Sequence, residues 1–138
     1  MEMVHEDLQT GFHILVVDDE QGMRDLFAFT LQSEGYYVTT AADGYEALQR
    51  VRNASFDLAF IDVKMPEMDG LKTYQAIKEV APEIAVFMMT GYSVEDLVRE
   101  AIKEGALGCI YKPFSVEEVL NKVRQVQKDG ESHPLPPT

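Results

Sequence analysis

Five short apolar runs alternate with five segments of helical periodicity, and this alternation constrains the fold more than any other feature. The apolar runs occupy residues 14–17, 36–40, 58–61, 84–89 and 107–111. Each has the length of a β-strand, and the first, third and fourth are apolar almost throughout, which is typical of strands covered on both faces of a parallel sheet. The pattern predicts an α/β fold with right-handed βαβ crossovers and a doubly wound, five-stranded parallel sheet, (βα)5.

The segments between the runs carry apolar residues every three or four positions, as one face of a helix does. In the first segment these positions, with one threonine among them, are Met23, Leu26, Phe27, Thr30 and Leu31. Helix start signals precede three other segments, two of them with capping-box spacing. They are Asp43 with Glu46, Ser115 with Glu118, and Ser93 as a candidate N-cap. Gly35 and Gly105 stand where two helices should end.

The length of 138 residues predicts one domain. We expect it to span residues 12–128, between an N-terminal tail at 1–11 and a C-terminal tail or start of a linker at 129–138. No apolar run approaches the ~20 residues of a membrane span. The one cysteine cannot form an internal disulfide, which fits a reducing compartment. These features predict a cytoplasmic domain that does not contact a membrane.

The balance of charged residues argues against one class of partner. Twenty-four acidic residues face twelve Lys and Arg, for a formal net charge of −12. A surface of this sign repels a phosphate backbone. We therefore expect no direct nucleic-acid binding by this domain.

Polar residues follow four of the five predicted strands. Asp18 and Asp19 follow the first, Asp62 the third, Thr90 the fourth and Lys112 the fifth. Ligands of open α/β sheets bind beyond the carboxyl ends of the strands, so these groups should meet at one edge. Crowded carboxylates favour a hard cation such as Mg²⁺, while a lysine and a hydroxyl suit phosphoryl oxygens. The set predicts phosphoryl transfer, with a carboxylate as the nucleophile.

Four motifs on these strand ends resemble the signatures of two-component response-regulator receiver domains. They are ILVVDDE at 14–20, FIDVKMPEMDG at 60–70, MMTG at 88–91 and YKPF at 111–114. The resemblance covers residues 12–128, and the four motifs together are very specific. It implies a flavodoxin-like fold with strand order 2-1-3-4-5, and a domain that accepts a phosphoryl group from the phosphohistidine of a histidine kinase or phosphotransfer protein. Such a domain is an enzyme only toward its own phosphorylation and dephosphorylation.

The resemblance also implies roles for individual residues. Asp62 resembles the phosphoacceptor, and Asp62, Asp19 and the backbone carbonyl of Lys64 resemble the Mg²⁺ ligands. Asp18 resembles the second acid, which acts largely through metal-bound water. Thr90 resembles the switch hydroxyl that closes on the phosphoryl group. Lys112 resembles the phosphate-binding lysine, and its bond to Pro113 is usually cis in such domains.

One position departs from the family pattern. Receivers usually carry an aromatic switch residue three positions before the lysine, where this chain has Cys109. Tyr111 lies two residues further on and faces the same side of the strand by alternation. It either replaces the usual aromatic residue or simply packs, and packing is the favoured reading.

The resemblance implies an output surface on the last two helices and the strand between them. The helices at residues 93–104 and 115–127 flank the strand at 107–111 and follow the strands that carry Thr90 and Lys112. An output domain in the full-length protein, or a second copy of this chain, would bind there. Two alternatives remain at this stage: a Mg²⁺-dependent phosphatase with an aspartyl nucleophile, and a pseudo-receiver that works without phosphorylation.

Overall fold

The computed structural model describes residues 11–91 and 94–132, with side chains through Asp129. Five strands and five helices alternate along this part of the chain. In order they are β1 (His13–Val17), α1 (Gln21–Ser33), β2 (Tyr37–Ala41), α2 (Gly44–Asn53), β3 (Leu58–Asp62), α3 (Gly70–Val80), β4 (Ala85–Thr90), α4 (Glu95–Lys103), β5 (Gly108–Tyr111) and α5 (Val116–Ser132).

The strands form one parallel sheet in the order β2-β1-β3-β4-β5, which confirms the predicted fold and strand order. The strand ends differ from the predicted ones by about a residue, and two differences matter. Asp62 belongs to β3 because it still pairs with Met89, and Thr90 belongs to β4 because it pairs with Tyr111. Both polar side chains are therefore held by the sheet itself.

Alternation along the strands divides the core into two layers, one on each face of the sheet. Strand residues such as Leu15, Val17 and Ile61 pack with α2, α3 and α4 on one face. Residues such as Ile14, Val16 and Phe60 pack with α1 and α5 on the other. A sheet covered on both faces leaves its edges and the strand ends for binding.

The predicted helix signals are largely those that the structure uses. Asp43 accepts a hydrogen bond from the Glu46 N–H at 2.8 Å, while the Glu46 carboxylate accepts one from the Ala42 N–H. Gly35 and Gly105 follow α1 and α4 with φ of 95° and 121°, a region that favours glycine. Ser93 lies outside the described residues, and the described part of α4 begins at Glu95.

The predicted tails correspond only partly to described residues. Residues 1–10 and 133–138 lie outside the part of the chain that the structure describes. Residues 129–132 belong to α5, which continues past its predicted end at residue 127. Within residues 11–91 and 94–132, no helix combines the length and apolarity needed to cross a bilayer.

Candidate functional site

The carboxyl ends of β1 and β3 bring the three predicted acids together. Oxygen atoms of Asp18, Asp19 and Asp62 all lie within 4.8 Å of one another. Asp18 is fully buried and Asp62 is 4% exposed, whereas Asp19 is exposed to solvent. Neighbouring parallel strands that end in acids therefore build a compact, partly buried carboxylate cluster, as the strand pattern predicts.

Lys112 supplies the positive charge of this cluster from the residue after β5. Its Nζ lies 2.8 Å from Asp18 Oδ2 and 3.7 Å from Asp62 Oδ2, and its side chain is only 15% exposed. The Lys112 N–H donates to the Thr90 carbonyl at 2.8 Å, which extends the β4–β5 pairing by one residue. The Lys112–Pro113 bond is cis, as predicted.

The loop after β1 is fixed by contacts to both the side chain and the backbone of Asp18. Asp18 Oδ1 accepts the Glu20 N–H at 2.9 Å. The Asp18 carbonyl accepts a hydrogen bond from Arg24 Nη1 at 2.8 Å. Neither Arg24 nor Glu20 was predicted from the sequence, because their contacts depend on how the chain turns after β1.

The loop after β3 passes very close to the backbone that carries Asp62. The Gly70 N–H donates to the Val63 carbonyl at 2.8 Å. A Cβ on Gly70 would lie 2.6 Å from Val63 Cα and closer still to the Asp62 carbonyl oxygen, so only glycine fits. Glu67 has a φ of 70° in the same loop. A tight turn at Gly70 therefore supports the backbone that carries Asp62. The pattern of apolar strands did not predict this turn.

The charges in the cluster shift the pKa of two groups. Burial, followed by repulsion from Asp18, raises the pKa of Asp62 from 3.8 to about 7, although Lys112 and the Lys64 N–H act in the opposite direction. Burial lowers the pKa of Lys112, but the hydrogen bond to Asp18 and the nearby carboxylates outweigh it and leave that pKa raised. Lys112 therefore offsets only part of the negative charge of the three carboxylates.

The donor set fits a hard divalent cation. Three carboxylates offer oxygen atoms close together, and Asp19 remains open to solvent, as a metal that keeps several waters requires. A cation here would also relieve the repulsion that raises the Asp62 pKa. The residues present therefore suit Mg²⁺.

The remaining predicted residues lie around the cluster at different depths. Thr90 is fully buried at the end of β4, and Lys64 is exposed beside Asp62. Cys109 is partly buried against the core, where burial raises its pKa to about 11. Tyr111 is 54% exposed, and its side chain hydrogen-bonds with that of Cys109. That Tyr111 simply packs therefore stays a prediction.

The carboxylate cluster and Lys112 lie at a cleft of about 640 Å³. Asp19, Asp62 and Lys112 lie on its walls together with Glu20, and Met23 and Pro66 form apolar parts of the wall. Such a volume admits a phosphoryl group together with part of the molecule that donates it. The arrangement can hold a cation, place an anion against a lysine and present a buried carboxylate as a nucleophile.

Comparison with known proteins points to one family. The family model described as the response regulator receiver domain matches residues 14–124. The transcriptional regulatory protein ZraR of Escherichia coli is 39% identical over 117 residues, which are 85% of this chain and 26% of that protein. The sporulation initiation phosphotransferase F of Bacillus subtilis is 37% identical over 112 residues, which are 81% of this chain and 90% of that protein.

A solved structure matches over nearly the whole length of both chains. It is a CheY-like response regulator receiver domain protein from Methanospirillum hungatei, with a TM-score of 0.85 and 30% sequence identity. The match covers 89% of this chain and 98% of that one. The chain therefore spans nearly all of two single-domain relatives and about a quarter of ZraR.

Proposed function

The chain belongs to the response regulator receiver domain family of two-component signal transduction, and from this premise we propose that Asp62 takes the phosphoryl group, with Mg²⁺ held beside it. The family assignment disfavours an aspartyl-nucleophile phosphatase, and the three clustered acids with their lysine argue against a pseudo-receiver. One observation carries the residue assignment: Asp62 is a buried carboxylate that lies 3.7 Å from a lysine and within 4.8 Å of two further acids.

The proposed transfer begins with a phosphohistidine of a histidine kinase or phosphotransfer protein. A carboxylate oxygen of Asp62 attacks phosphorus, the P–N bond breaks, and the imidazole leaves with the electron pair and takes up a proton. Asp62 becomes an acyl phosphate. The attack needs the ionised carboxylate, so a raised pKa near 7 makes the reaction depend on positive charge at the site.

The cation would be held by Asp19, Asp62 and the backbone carbonyl of Lys64, with Asp18 acting largely through bound water. Mg²⁺, when bound, supplies charge that neutralises the carboxylates and the phosphoryl oxygens. The depth of each acid supports this division. Asp19 is exposed, whereas Asp18 is fully buried and already bound to Lys112 at 2.8 Å.

Lys112 and Thr90 are the proposed contacts of the phosphoryl oxygens. Lys112 approaches from β5 and would turn part of its charge from Asp18 toward the new anion. Thr90 ends the neighbouring strand, one residue beyond the partner of Asp62 in the sheet, and its hydroxyl can donate to the same group. Movement of Thr90 would carry the signal into α4.

The proposed output surface consists of α4, β5 and α5. Ile102, Leu107 and Tyr111 leave about half of each side chain exposed on this surface. ZraR is a transcriptional regulatory protein nearly four times as long as the matched segment, which supports an output domain as one partner. A second copy of the chain is the other proposed partner, and the cytoplasm is the proposed location.

Mass spectrometry after incubation with acetyl phosphate and Mg²⁺ tests the assignment. The chain should gain one phosphoryl mass, and Asp62→Asn should gain none. Asp57→Asn is the matched control, because Asp57 is exposed at the opposite end of β3 and should not be needed. Equal labelling of Asp62→Asn would disprove the proposed acceptor. Labelling without any divalent cation would disprove the proposed metal.

A further inference from the structure

We propose that Glu20 selects phosphodonors by their charge, slowing anionic donors and holding part of the Lys112 charge until the phosphoryl group arrives. This inference rests on the proposed function. Glu20 lies on the wall of the cleft, and its Oε1 is 3.7 Å from Lys112 Nζ. Its side chain is 67% exposed, so it faces the route by which a donor reaches Asp62.

The side chain of Glu20 is separate from the parts that hold the site together. Its backbone N–H binds Asp18 and its carbonyl accepts the Arg24 N–H, so the position of Glu20 is fixed by backbone contacts. Glu20 is the N-cap residue of α1, yet its side chain makes no capping hydrogen bond. Removing its charge therefore leaves the helix start and the Asp18 contacts in place.

Lys112 divides one positive charge among three carboxylates. It is 2.8 Å from Asp18 and 3.7 Å from both Asp62 and Glu20. Asp18 and Asp62 are buried components of the reaction site, so Glu20 is the exposed competitor for this charge. A negative charge at the cleft wall repels an approaching anion and weakens the field of the lysine that should attract it.

The effect should depend on the charge of the donor. Acetyl phosphate approaches as a dianion and releases acetate with the electron pair of the broken P–O bond. Phosphoramidate carries a protonated amino group and releases ammonia with the electron pair of the broken P–N bond, so repulsion of its anionic oxygens and attraction of its positive group partly cancel. A phosphohistidine brings the local surface of its own protein, which can supply compensating positive charge. Glu20 would thus favour protein donors over small anionic ones.

The test measures phosphorylation rates of the full chain at saturating Mg²⁺ with acetyl phosphate and with phosphoramidate. Glu20→Gln should raise the rate with acetyl phosphate about three-fold at low ionic strength and change the rate with phosphoramidate less. The gain should fall toward none as salt reduces the Debye length from about 10 Å to about 3 Å. Glu20→Asp keeps the negative charge and should show the same preference between the two donors as the wild type.

Glu34→Gln is the matched control. Glu34 follows the other end of α1, is also exposed, and makes a similar ion pair with Arg124 at 3.8 Å. It should leave both rates unchanged. A salt-independent gain, or an equal gain with both donors, would overturn the charge selection while leaving Asp62 as the acceptor. Failure of wild type and variant alike to be labelled by either donor would overturn the proposed function and this inference together.

Discussion

The two halves of the site are built differently. The acid side comprises residues 18–20 and 62–70, after β1 and β3, and the switch side comprises residues 90–91 and 94–111. On the acid side, backbone hydrogen bonds fix each turn, including Asp18 N–H to the Ala41 carbonyl and Gly70 N–H to the Val63 carbonyl. The acid side thus holds its functional groups in place before any ligand arrives.

The described part of the switch side is held by the pairing of β5 with β4 and by side-chain contacts at the end of α4. The Tyr74 hydroxyl donates to the Glu104 carbonyl at 2.9 Å, and Gln75 Nε2 contacts the Glu104 carboxylate at 3.1 Å. Further along this side, Leu107 and Tyr111 are each 54% exposed. A ligand shifts a conformation only if it binds two states unequally. We therefore expect the acid side to bind and the switch side to move.

The largest expected effect comes from adding one methyl group on the acid side. The same addition on the switch side serves as its comparison. Gly70→Ala should destabilise the fold by about 3 kcal/mol, because the new Cβ would meet backbone atoms of Asp62 and Val63 that cannot move aside. Gly91→Ala should change stability by about 0.5 kcal/mol or less, because its Cβ would lie 3.5 Å from Lys112 Cβ, an ordinary contact. Urea unfolding measures both. Equal losses of stability in the two variants would contradict the expectation that the acid side is the more rigid of the two.

Crowding of the carboxylates on the acid side should lower the stability of the folded chain at high pH. Asp62 has a pKa of about 7 in the folded chain against an ordinary value of 3.8. Its contribution to stability is therefore fully present below pH 3.8 and is lost as pH rises through about 7. Without divalent cations, Asp62→Asn should stabilise the protein at pH 8 by roughly 2 kcal/mol, after allowance for solvent in the open cleft.

Thermal unfolding in EDTA from pH 4 to pH 8 checks this prediction. The difference between Asp62→Asn and wild type should shrink as pH falls, and Mg²⁺ at pH 8 should stabilise wild type more than the variant. Asp57→Asn at the opposite end of β3 should follow the wild-type pH dependence. Parallel curves for wild type and Asp62→Asn would show that the acids do not strain the folded state.

A smaller effect should follow from loosening the anchor of α4. Tyr74→Phe removes the hydrogen bond to Glu104 and should cost about 1 kcal/mol. Hydrogen exchange should become faster at the amides of α4, since that helix loses one of its two hydrogen-bonded contacts with α3 at Glu104. Tyr36→Phe is the control, because its hydroxyl bonds Gln127 at 2.9 Å on the other face of the sheet. A similar change at α4 in both variants would argue against a local anchor.

The architecture could be predicted from the sequence because buried positions recur with the period of the strand or helix that carries them. Strands covered on both faces are apolar throughout, and helices show one apolar stripe, so the runs at 14–17 and 58–61 identified the sheet correctly. The same rule placed Asp18, Asp62, Thr90 and Lys112 at strand ends. Parallel order then brought them to one edge of the sheet, as the structure shows.

What the sequence did not reveal depends on contacts between distant residues. The Tyr74–Glu104 bond joins positions 30 residues apart, and no local pattern specifies it. The close passage of Gly70 over Asp62 arises from a turn, whereas the motif showed only a glycine. The degree to which Tyr111 is covered, with 54% of it exposed, follows from its place at the end of the edge strand β5, and strand alternation alone does not specify it.

The smallest expected effect on stability concerns Tyr111 itself. Because its side chain is 54% exposed, Tyr111→Ala should change the free energy of unfolding by about 0.5 kcal/mol or less. Tyr45→Ala on α2, which is 58% exposed, should behave alike and serves as the control. Thermal unfolding of the two variants provides the measurement.

Signal transmission in Tyr111→Ala is the sharper test of the contrast between the two sides. The proposed phosphoryl contacts are Thr90 on the switch side and Lys112 directly after it, so beryllofluoride should still change hydrogen exchange in α4 and β5 of this variant. The exchange of β1 and β3 amides should stay constant, because the acid side is already in place. A response lost entirely in Tyr111→Ala but kept in Tyr45→Ala would mean that the exposed ring transmits the signal in place of the aromatic residue missing at Cys109. Changes confined to α1 would instead mean that the moving part lies beside the acid side, and the division of the site into a fixed and a mobile half would be wrong.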